Sequence, residues 1–247
     1  MTPKKIACFV EGQTEQIFVE RLFQEIAGYK KISIETYKFQ GRKDHRIIES
    51  LKQSKVQDAP FFVLLYNCGC DSHVVSDIGK QHKILTTQGY EKILGLRDLY
   101  PKSLSEKGQV EGGIKGWLEG VQPMGIPIYI TLAVMEIEAW FLAEWHYFDK
   151  LDNRLNPDFI LQELGLDLIN IDVEERPHPS QDLKDIYRLV RKKYDKNEKA
   201  SQEIINNLDY EFLYLHLVNS VKQLKRFIDE IDFLGLVNQP PNLPYNR

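Results

Sequence analysis

The first 150 residues of the chain alternate between two patterns of hydrophobic and polar positions. Short apolar runs rich in β-branched residues predict buried strands, whereas apolar residues spaced three or four positions apart predict amphipathic helices. The predicted strands cover residues 5–10, 32–39, 61–66, 92–96 and 126–134. The predicted helices cover residues 14–27, about 44–55, a stretch from about 72, a short piece around Trp117 in a glycine-rich loop at 108–123, and residues 135–148. This alternation indicates an α/β fold with a mostly parallel, Rossmann-like sheet flanked by helices.

After about residue 150 the strand pattern stops and only helical patterns follow. The predicted helices there cover residues 157–164, 180–194, 201–207 and 209–231. The last carries an apolar stripe that includes Leu217, Leu224 and Ile228, which could pair with a second copy of the chain in a homodimer. We therefore expect an α/β domain over residues 1–150 and a helical region over residues 151–247 packed on or beside it.

Composition narrows the class of protein. Hydrophobic residues make up 43% and charged residues 28% of the 247 residues, which is typical of a globular protein and excludes a disordered chain. No apolar run reaches the length of a membrane span, and the first residues lack the features of a signal peptide. The cysteines Cys8, Cys68 and Cys70 are too few for a disulfide framework. A cytoplasmic protein that does not contact a membrane is the expectation.

Charge is distributed unevenly along the chain. The net charge of −4 argues against a nucleic-acid binder held by bulk positive charge. Residues 176–203, however, hold eight Lys or Arg and five Asp or Glu, and four of these basic residues recur at helical spacing. Either this is a solvated helix face, or it contacts nucleic-acid phosphates. The candidate nucleic-acid-binding residues are Arg97, Lys184, Arg188, Arg191, Lys192 and Lys193.

Carboxylates follow several of the predicted strands. In an open parallel sheet, ligands bind beyond the carboxyl ends of the strands, so acids at those positions meet at one edge. Clustered carboxylates repel one another and favour a hard cation such as Mg²⁺ or Mn²⁺. The candidate ligands and acids at this edge are Glu11, Glu15, Asp71, Asp98, Glu136 and Glu138.

Each of these acids also has a structural explanation. Glu11 and Glu15 could open a helix, where acids interact favourably with the helix dipole. Asp71 could cap the helix that begins near residue 72, and Asp98 could pair with Arg97. No Walker loop, G-x-S-x-G elbow or H-E-x-x-H helix is present, and the lone Cys68-Gly69-Cys70 is a weak zinc signal.

Two segments carry a family resemblance. The apolar strand that ends in Val-Glu-Gly-x-Thr-Glu at residues 10–15 resembles the opening of a TOPRIM domain, found in topoisomerases, primases and overcoming-lysogenization-defect nucleases. Residues 135–144 are similar to a segment of a TOPRIM-like family that is often encoded beside AAA- or ABC-type ATPases in prokaryotic defence loci. Residues 178–183, followed by Lys192 and Lys193, are similar to the C-terminal part of that family.

The resemblance implies a Mg²⁺- or Mn²⁺-dependent nuclease that cleaves DNA or RNA in antiviral or anti-plasmid defence, with an ATPase partner. The TOPRIM glutamate carries over to Glu11, and Glu15 matches the second acid of nuclease-type members. Asp98 is the third catalytic candidate. The TOPRIM Asp-x-Asp motif does not carry over cleanly, since residues 67–69 lack it and residues 98–100 supply only its first aspartate. A catalytically degenerate binding module regulated by the ATPase therefore stays open, and a small-molecule phosphotransferase or phosphohydrolase is a third alternative.

Overall fold

The fold is taken from a computed structural model that describes residues 3–28, 31–41, 45–54, 56 and 58–231. Its strands are β1 (Lys4–Val10), β2 (Ile32–Gln40), β3 (Ile47–Lys52), β4 (Phe61–Asn67), β5 (Lys92–Asp98) and β6 (Ile128–Ala133). Its α-helices are α1 (Gln13–Ala27), α2 (Asp71–Thr87), α3 (Lys107–Val121), α4 (Glu138–Ala143), α5 (Tyr147–Leu151), α6 (Pro157–Leu164), α7 (Pro179–Leu189), α8 (Glu198–Asn207), α9 (Tyr210–Leu215) and α10 (Lys222–Ile231). No helix in these ranges is both long and apolar enough to cross a bilayer.

All six strands form one sheet in the order β3-β2-β4-β1-β5-β6. Strand β3 is antiparallel to β2, and every other pairing is parallel. The predicted α/β class with a mostly parallel sheet is confirmed. The central strand β1 is the most deeply covered, because residues 6–10 are all 0% exposed. A strand buried on both faces needs apolar residues at every position, which explains its continuous apolar run.

Connections from β1 and from β5 leave the sheet in opposite directions. Helix α1 carries the chain from β1 past β4 to β2, whereas α3 carries it from β5 to the opposite edge strand β6. Helix α1 packs on one face together with helices from the C-terminal region, and α2 and α3 pack on the other face. The carboxyl ends of the neighbours β1 and β5 therefore flank the crevice where such sheets bind ligands.

The C-terminal helices complete the core on the α1 face. Leu224, Phe227, Ile228 and Ile231 of α10 are buried in the same hydrophobic cluster as α1 and the sheet. The apolar stripe therefore packs within the chain, which removes the observation that suggested a homodimer. One core thus receives residues from both of the expected regions.

Two sequence predictions of helix position are wrong. Residues 47–52 form strand β3 instead of a helix, and Ile47, Ile48 and Leu51 are exposed instead of facing inward. Two adjacent isoleucines favour a strand, and the free edge of β2 supplies the hydrogen-bonding partner. The expected cap Asp44 lies outside the described residues. The long helix expected at 209–231 breaks between α9 and α10, where the Ser220 hydroxyl donates to the Leu217 carbonyl at 3.2 Å.

Two further helical predictions change in length. The glycine-rich stretch expected to be mostly loop forms the 15-residue helix α3. The helix expected at 135–148 is replaced by the short helices α4 and α5. Met135 has a left-handed φ of 60°, so the helix does not start there, and α4 already ends at Ala143.

Helix α3 presents glycines to solvent at every fourth position. Built Cβ atoms at Gly108, Gly112, Gly116 and Gly120 would meet no other atom within 4 Å. Packing inside the chain therefore does not require glycine at these positions. In an exposed helix each glycine costs about 1 kcal/mol relative to alanine.

We expect Gly116→Ala to raise the free energy of unfolding by about 0.5–1 kcal/mol, measured by urea or thermal denaturation. The matched control is Gly95→Ala in β5, where the added Cβ would lie 3.0 Å from Ile78 Cδ1 and 3.1 Å from Ile130 Cγ1. That change should destabilise the fold. A Gly116→Ala protein less stable than wild type would show that this helix face is covered in solution.

Candidate active site

Glu11 and Asp98 meet at the crevice between β1 and β5. Glu11 directly follows β1, and Asp98 is the last residue of β5. The backbone N–H of Asp98 donates a hydrogen bond to Glu11 Oε2 at 2.9 Å. This bond joins the carboxyl ends of the two strands and fixes one oxygen of Glu11 beside the start of the Asp98 side chain.

Glu15 is a buried acid in the first turn of α1. Its Oε2 accepts a hydrogen bond from the Gly12 N–H at 2.9 Å, so it caps the helix, and only 6% of the residue is exposed. A built Cβ at residue 12 would lie 3.1 Å from that oxygen, so glycine leaves room for the close approach. Burial, followed by repulsion from Glu138 and Glu11, raises the pKa of Glu15 to about 8. Capping alone does not require this burial beside other acids.

Asp98 is equally enclosed. Its Oδ1 accepts a hydrogen bond from the Ile137 N–H at 3.0 Å, which ties β5 to the segment after β6. Burial raises the pKa of Asp98 well above its ordinary value, and repulsion from Glu15, Glu11 and Glu138 adds to the shift. The mutual repulsion shows that these carboxylates lie close enough to interact.

Glu138 begins α4 and is 1% exposed. Its Oε1 accepts the Tyr194 hydroxyl at 2.8 Å and lies 3.0 Å from the Lys196 ammonium. Its Oε2 is buried and has no hydrogen-bond partner among the described residues. A buried carboxylate oxygen without a partner is unfavourable by about 1–3 kcal/mol, or more when the group is charged.

Glu136 faces the outer side of the same cluster. It accepts hydrogen bonds from the Ser180 N–H at 3.0 Å, the Ser180 hydroxyl at 2.9 Å and the Lys196 ammonium at 2.6 Å. Burial pushes its pKa upward, but Lys196 and Ser180 outweigh burial, so the pKa is lowered. Glu136 is therefore an anion that holds Lys196 in place.

Lys196 is the cation that bridges Glu136 and Glu138. Burial works against its charge, yet attraction to Glu138 and Glu136 outweighs burial and raises its pKa above the ordinary value. The backbone supports this position under strain, since Lys196 has a φ of 51° and Met135, next to Glu136, has a φ of 60°. Left-handed conformations of non-glycine residues cost about 1–3 kcal/mol each and concentrate at functional sites.

Glu11, Glu15, Asp98 and Glu138 interact electrostatically with one another, and Lys196 is the cation described beside Glu15, Asp98 and Glu138. Protons or a bound cation can offset the repulsion among the buried acids. In the arrangement described, no three His, Cys, Asp or Glu side chains form a ready-made metal site.

A family model matches residues 10–212 of the 247 residues, which includes every member of this cluster. The chain belongs to the family called Domain of unknown function (DUF4276). No curated protein matches the chain, and neither does any solved structure. The DUF4276 match assigns no activity, so the resemblance to TOPRIM nucleases stays a prediction.

Not every predicted residue of the DUF4276 region joins the cluster. The Asp71 side chain lies outside the described part of the structure. Arg97 lines a groove on the α2–α3 face, whereas the Asp98 carboxyl meets Ile137 and Glu15 on the α1 face. Side chains alternate along a strand, so Arg97 and Asp98 leave β5 on opposite faces, which argues against the structural alternative of a side-chain pair.

The basic residues do not form one helical face. Helix α7 ends at Leu189, and Arg191 has a left-handed φ of 61°, so the helical spacing holds for Lys184 and Arg188 alone. Arg188 pairs with Asp185 at 2.6 Å, and Lys192 donates to the Leu151 carbonyl at 2.7 Å. Lys184 lies about 6 Å along the helix axis from Ser180, which contacts Glu136. A phosphate contact by Lys184, Arg188, Arg191, Lys192 or Lys193 stays a prediction.

The sequence reasoning missed the residues of the C-terminal region that complete the cluster. Lys196, Tyr194 and Ser180 contact its carboxylates, and Thr14 Oγ1 lies 2.9 Å from Ser201 Oγ between α1 and α8. The resemblance singled out the segment that contains Ser180 but gave it no role. Nothing in the local pattern distinguishes Lys196 from its basic neighbours, because its partners are about 60 positions away.

We expect Lys196→Met to lower the free energy of unfolding by about 2 kcal/mol, because it leaves Glu136 and Glu138 without their cation. The value is below that of a fully buried pair, since the Lys196 side chain is 36% exposed. The control is Lys225→Met, which removes an exposed helical pair with Asp229 and should change stability by about 0.5 kcal/mol or less. If Lys196→Met and Lys225→Met lowered the free energy of unfolding equally, in thermal and in urea denaturation, the bridging role of Lys196 would be contradicted.

Glu144 is a buried acid outside the cluster. It is 0% exposed. Its Oε2 accepts a hydrogen bond from the Asp209 N–H, and its Oε1 lies 3.1 Å from His146 Nδ1. Burial raises the pKa of Glu144 from an ordinary value of 4.5 to about 8. Burial also lowers the pKa of His146, so burial disfavours the charged form of both side chains.

Glu144 should therefore make stability depend on pH. Because its pKa is raised on folding, the folded state keeps a proton that the unfolded chain releases between pH 4.5 and about 8. Stability then falls across that window by up to about 1.4 kcal/mol per pH unit for this proton. Glu144→Gln, which mimics the neutral acid, should flatten the decline in a series of urea titrations from pH 5 to 9. An unchanged slope would mean that Glu144 is ionised throughout.

Proposed function

We propose that this chain is a divalent-metal-dependent nuclease, with its catalytic centre at the carboxylate cluster between β1 and β5. The observation that carries the proposal is the group of buried carboxylates at the crevice, with Glu138 Oε2 left without a hydrogen-bond partner among the described residues. A cation at this point would favour the ionised form of these acids and complete the coordination of that oxygen.

The residues present fit Mg²⁺ or Mn²⁺. The donors are carboxylate oxygens, which hard divalent ions prefer, and soft sulfur or imidazole ligands are not among them. Asp98 and Glu138 would hold the ion, and Glu11 lies beside them as the general base. Glu15 caps α1 and lies within electrostatic range of Asp98 and Glu138, and Glu136 acts through Lys196. Asp71, from the start of α2, is a further candidate ligand.

When bound, the ion supplies an activated water and stabilises charge on the phosphate. The half-buried Glu11 accepts the proton from the attacking water at the rim of the crevice. The Lys196 ammonium, held by Glu136, offsets negative charge that develops on the phosphate oxygens. Tyr194 orients Glu138 through its hydroxyl. Ser180 orients Glu136 in the same way.

The choice of nucleic acid as the substrate and of an ATPase as the partner rests on the family resemblance at residues 10–15 and 135–144. The TOPRIM type of the sheet rests on the same residues. The α/β sheet and the position of the cluster beyond its strand ends are compatible with that type. Activity in defence against phages or plasmids, and a cytoplasmic location, belong to the same proposal.

A binding module without catalytic activity is the second candidate. Asn67 stands at the end of β4, where one alignment would place the Asp-x-Asp motif. Its side chain donates to Gln16 Oε1 at 2.9 Å and accepts from the Gly69 N–H at 2.9 Å. The amide oxygen and nitrogen are thus engaged within the chain, which favours a single metal or none.

The test is cleavage of fluorescent DNA and RNA oligonucleotides and of plasmid by the purified chain, with Mg²⁺ or Mn²⁺ and with EDTA. We expect Glu138→Gln and Glu11→Gln to reduce cleavage about 100-fold or more and to weaken Mn²⁺ binding in calorimetry. Glu144→Gln, an equally buried acid outside the cluster, is the control and should retain both. Absence of Mn²⁺ binding to the wild type would refute the metal centre and favour the binding module.

A further inference from the structure

A groove of about 420 Å³ lies between α2 and α3, on the face of the sheet opposite the carboxylate cluster. Its walls include Val75 from α2 and Gly113, Ile114 and Trp117 from α3, and Arg97 and Lys102 lie where β5 leads into the following loop. Ligand-binding clefts in proteins commonly fall in this range of volume and combine apolar walls with a few polar groups.

The Trp117 ring supplies a flat apolar wall. Trp117 Cζ2 lies so close to α2 that a Cβ at Gly79 would be 3.3 Å away, which fixes that edge of the indole. At Gly113 a Cβ would meet nothing within 4 Å, so glycine leaves the groove open at this point. A planar ligand could therefore approach the backbone of α3 beside an aromatic ring.

Positive charge lies at the end of the groove nearest the strand ends. Arg97 lines the groove directly, and Lys102 forms an exposed pair with Glu106 at 3.0 Å. An exposed pair of this kind is worth about 1 kcal/mol or less, so Lys102 can exchange Glu106 for a phosphate at little loss.

The groove and the carboxylate cluster meet at the end of β5. Arg97 and Asp98 are consecutive, so their side chains leave the strand on opposite faces from Cα atoms about 3.8 Å apart. Val110, which lines the groove, packs on a cluster that contains Met135, the neighbour of Glu136. A strand of nucleic acid crossing the end of β5 would contact both the groove and the carboxylate cluster.

We propose that this groove binds the base of a nucleotide adjacent to the cleaved phosphate of a single-stranded nucleic acid. The base packs against Trp117, and the flanking phosphate lies toward Arg97 and Lys102. In a duplex the base would be stacked and unavailable, whereas single strands commonly use aromatic platforms beside cationic side chains. The inference rests on the proposed nuclease function for the position of the phosphate.

The experiment compares two substitutions on the same helix. Gly113→Leu fills the groove, whereas Gly120→Leu adds the same side chain at a position that also has no atom within 4 Å of a built Cβ. Both replace an exposed helical glycine by a better helix former, so both should fold at least as stably as wild type. Binding is measured by fluorescence anisotropy with labelled dT12 and rU12 in a Glu11→Gln background, which prevents cleavage.

We expect Gly113→Leu to weaken binding about tenfold and Gly120→Leu to leave it unchanged. Abasic oligonucleotides should bind wild type about tenfold more weakly and should be insensitive to Gly113→Leu. Equal affinity of the two leucine variants, equal affinity for intact and abasic strands, or no binding at all would overturn the inference. Cleavage by wild type with no difference between the variants would leave the nuclease standing and reject the groove. If Gly113→Leu alone lost binding and the wild type never cleaved, the groove would stand and the nuclease would be rejected.

Discussion

Repulsion among buried carboxylates at the β1–β5 crevice is the constraint on which this site depends. Glu15, Asp98 and Glu138 are each less than 10% exposed, and the pKa of both Glu15 and Asp98 is raised, with burial as the largest cause. Such an arrangement is unfavourable unless protons or cations offset it. Among the described contacts, backbone N–H groups donate to Glu11, Glu15 and Asp98, and the Lys196 ammonium contacts Glu138. Those contacts hold the acids together.

The ammonium comes from the helical region, so the cluster is complete only when that region is docked. Lys196 and Tyr194 reach Glu138, and Ser180 reaches Glu136. The Thr14–Ser201 contact and the shared core on the α1 face hold the two parts in register. A boundary near residue 150 describes where strands stop along the sequence, but the site spans it. A chain cut there would leave Glu136 and Glu138 without their cation.

Local patterns predict the five parallel strands of the sheet, but not its edge strand β3 and not the whole site. Continuous apolar runs predict the buried strands, and the rule that ligands bind beyond parallel strand ends predicts that Glu11, Asp98 and Glu138 lie at one edge. The edge strand β3 was misassigned because its apolar residues at 47, 48 and 51 also fit a helix, and only pairing with β2 decides between the two. The local pattern does not single out Lys196 as a site residue, because its role is defined by partners far away in sequence. Helix α3 was underestimated because glycine-rich segments usually indicate loops.

Adjacent residues of opposite charge in a sequence suggest an ion pair, but the same adjacency on a strand separates them. Arg97 and Asp98 lie on opposite faces of β5, one in an apolar groove and the other in a carboxylate cluster. A single extended strand end thus presents a cation to one side and an anion to the other. If the proposed nuclease binds a polyanion across this strand end, one phosphate would lie near Arg97 and the next near a cation held by Asp98. The net charge of −4 is compatible with that proposal, because the strand end separates positive and negative side chains onto two faces.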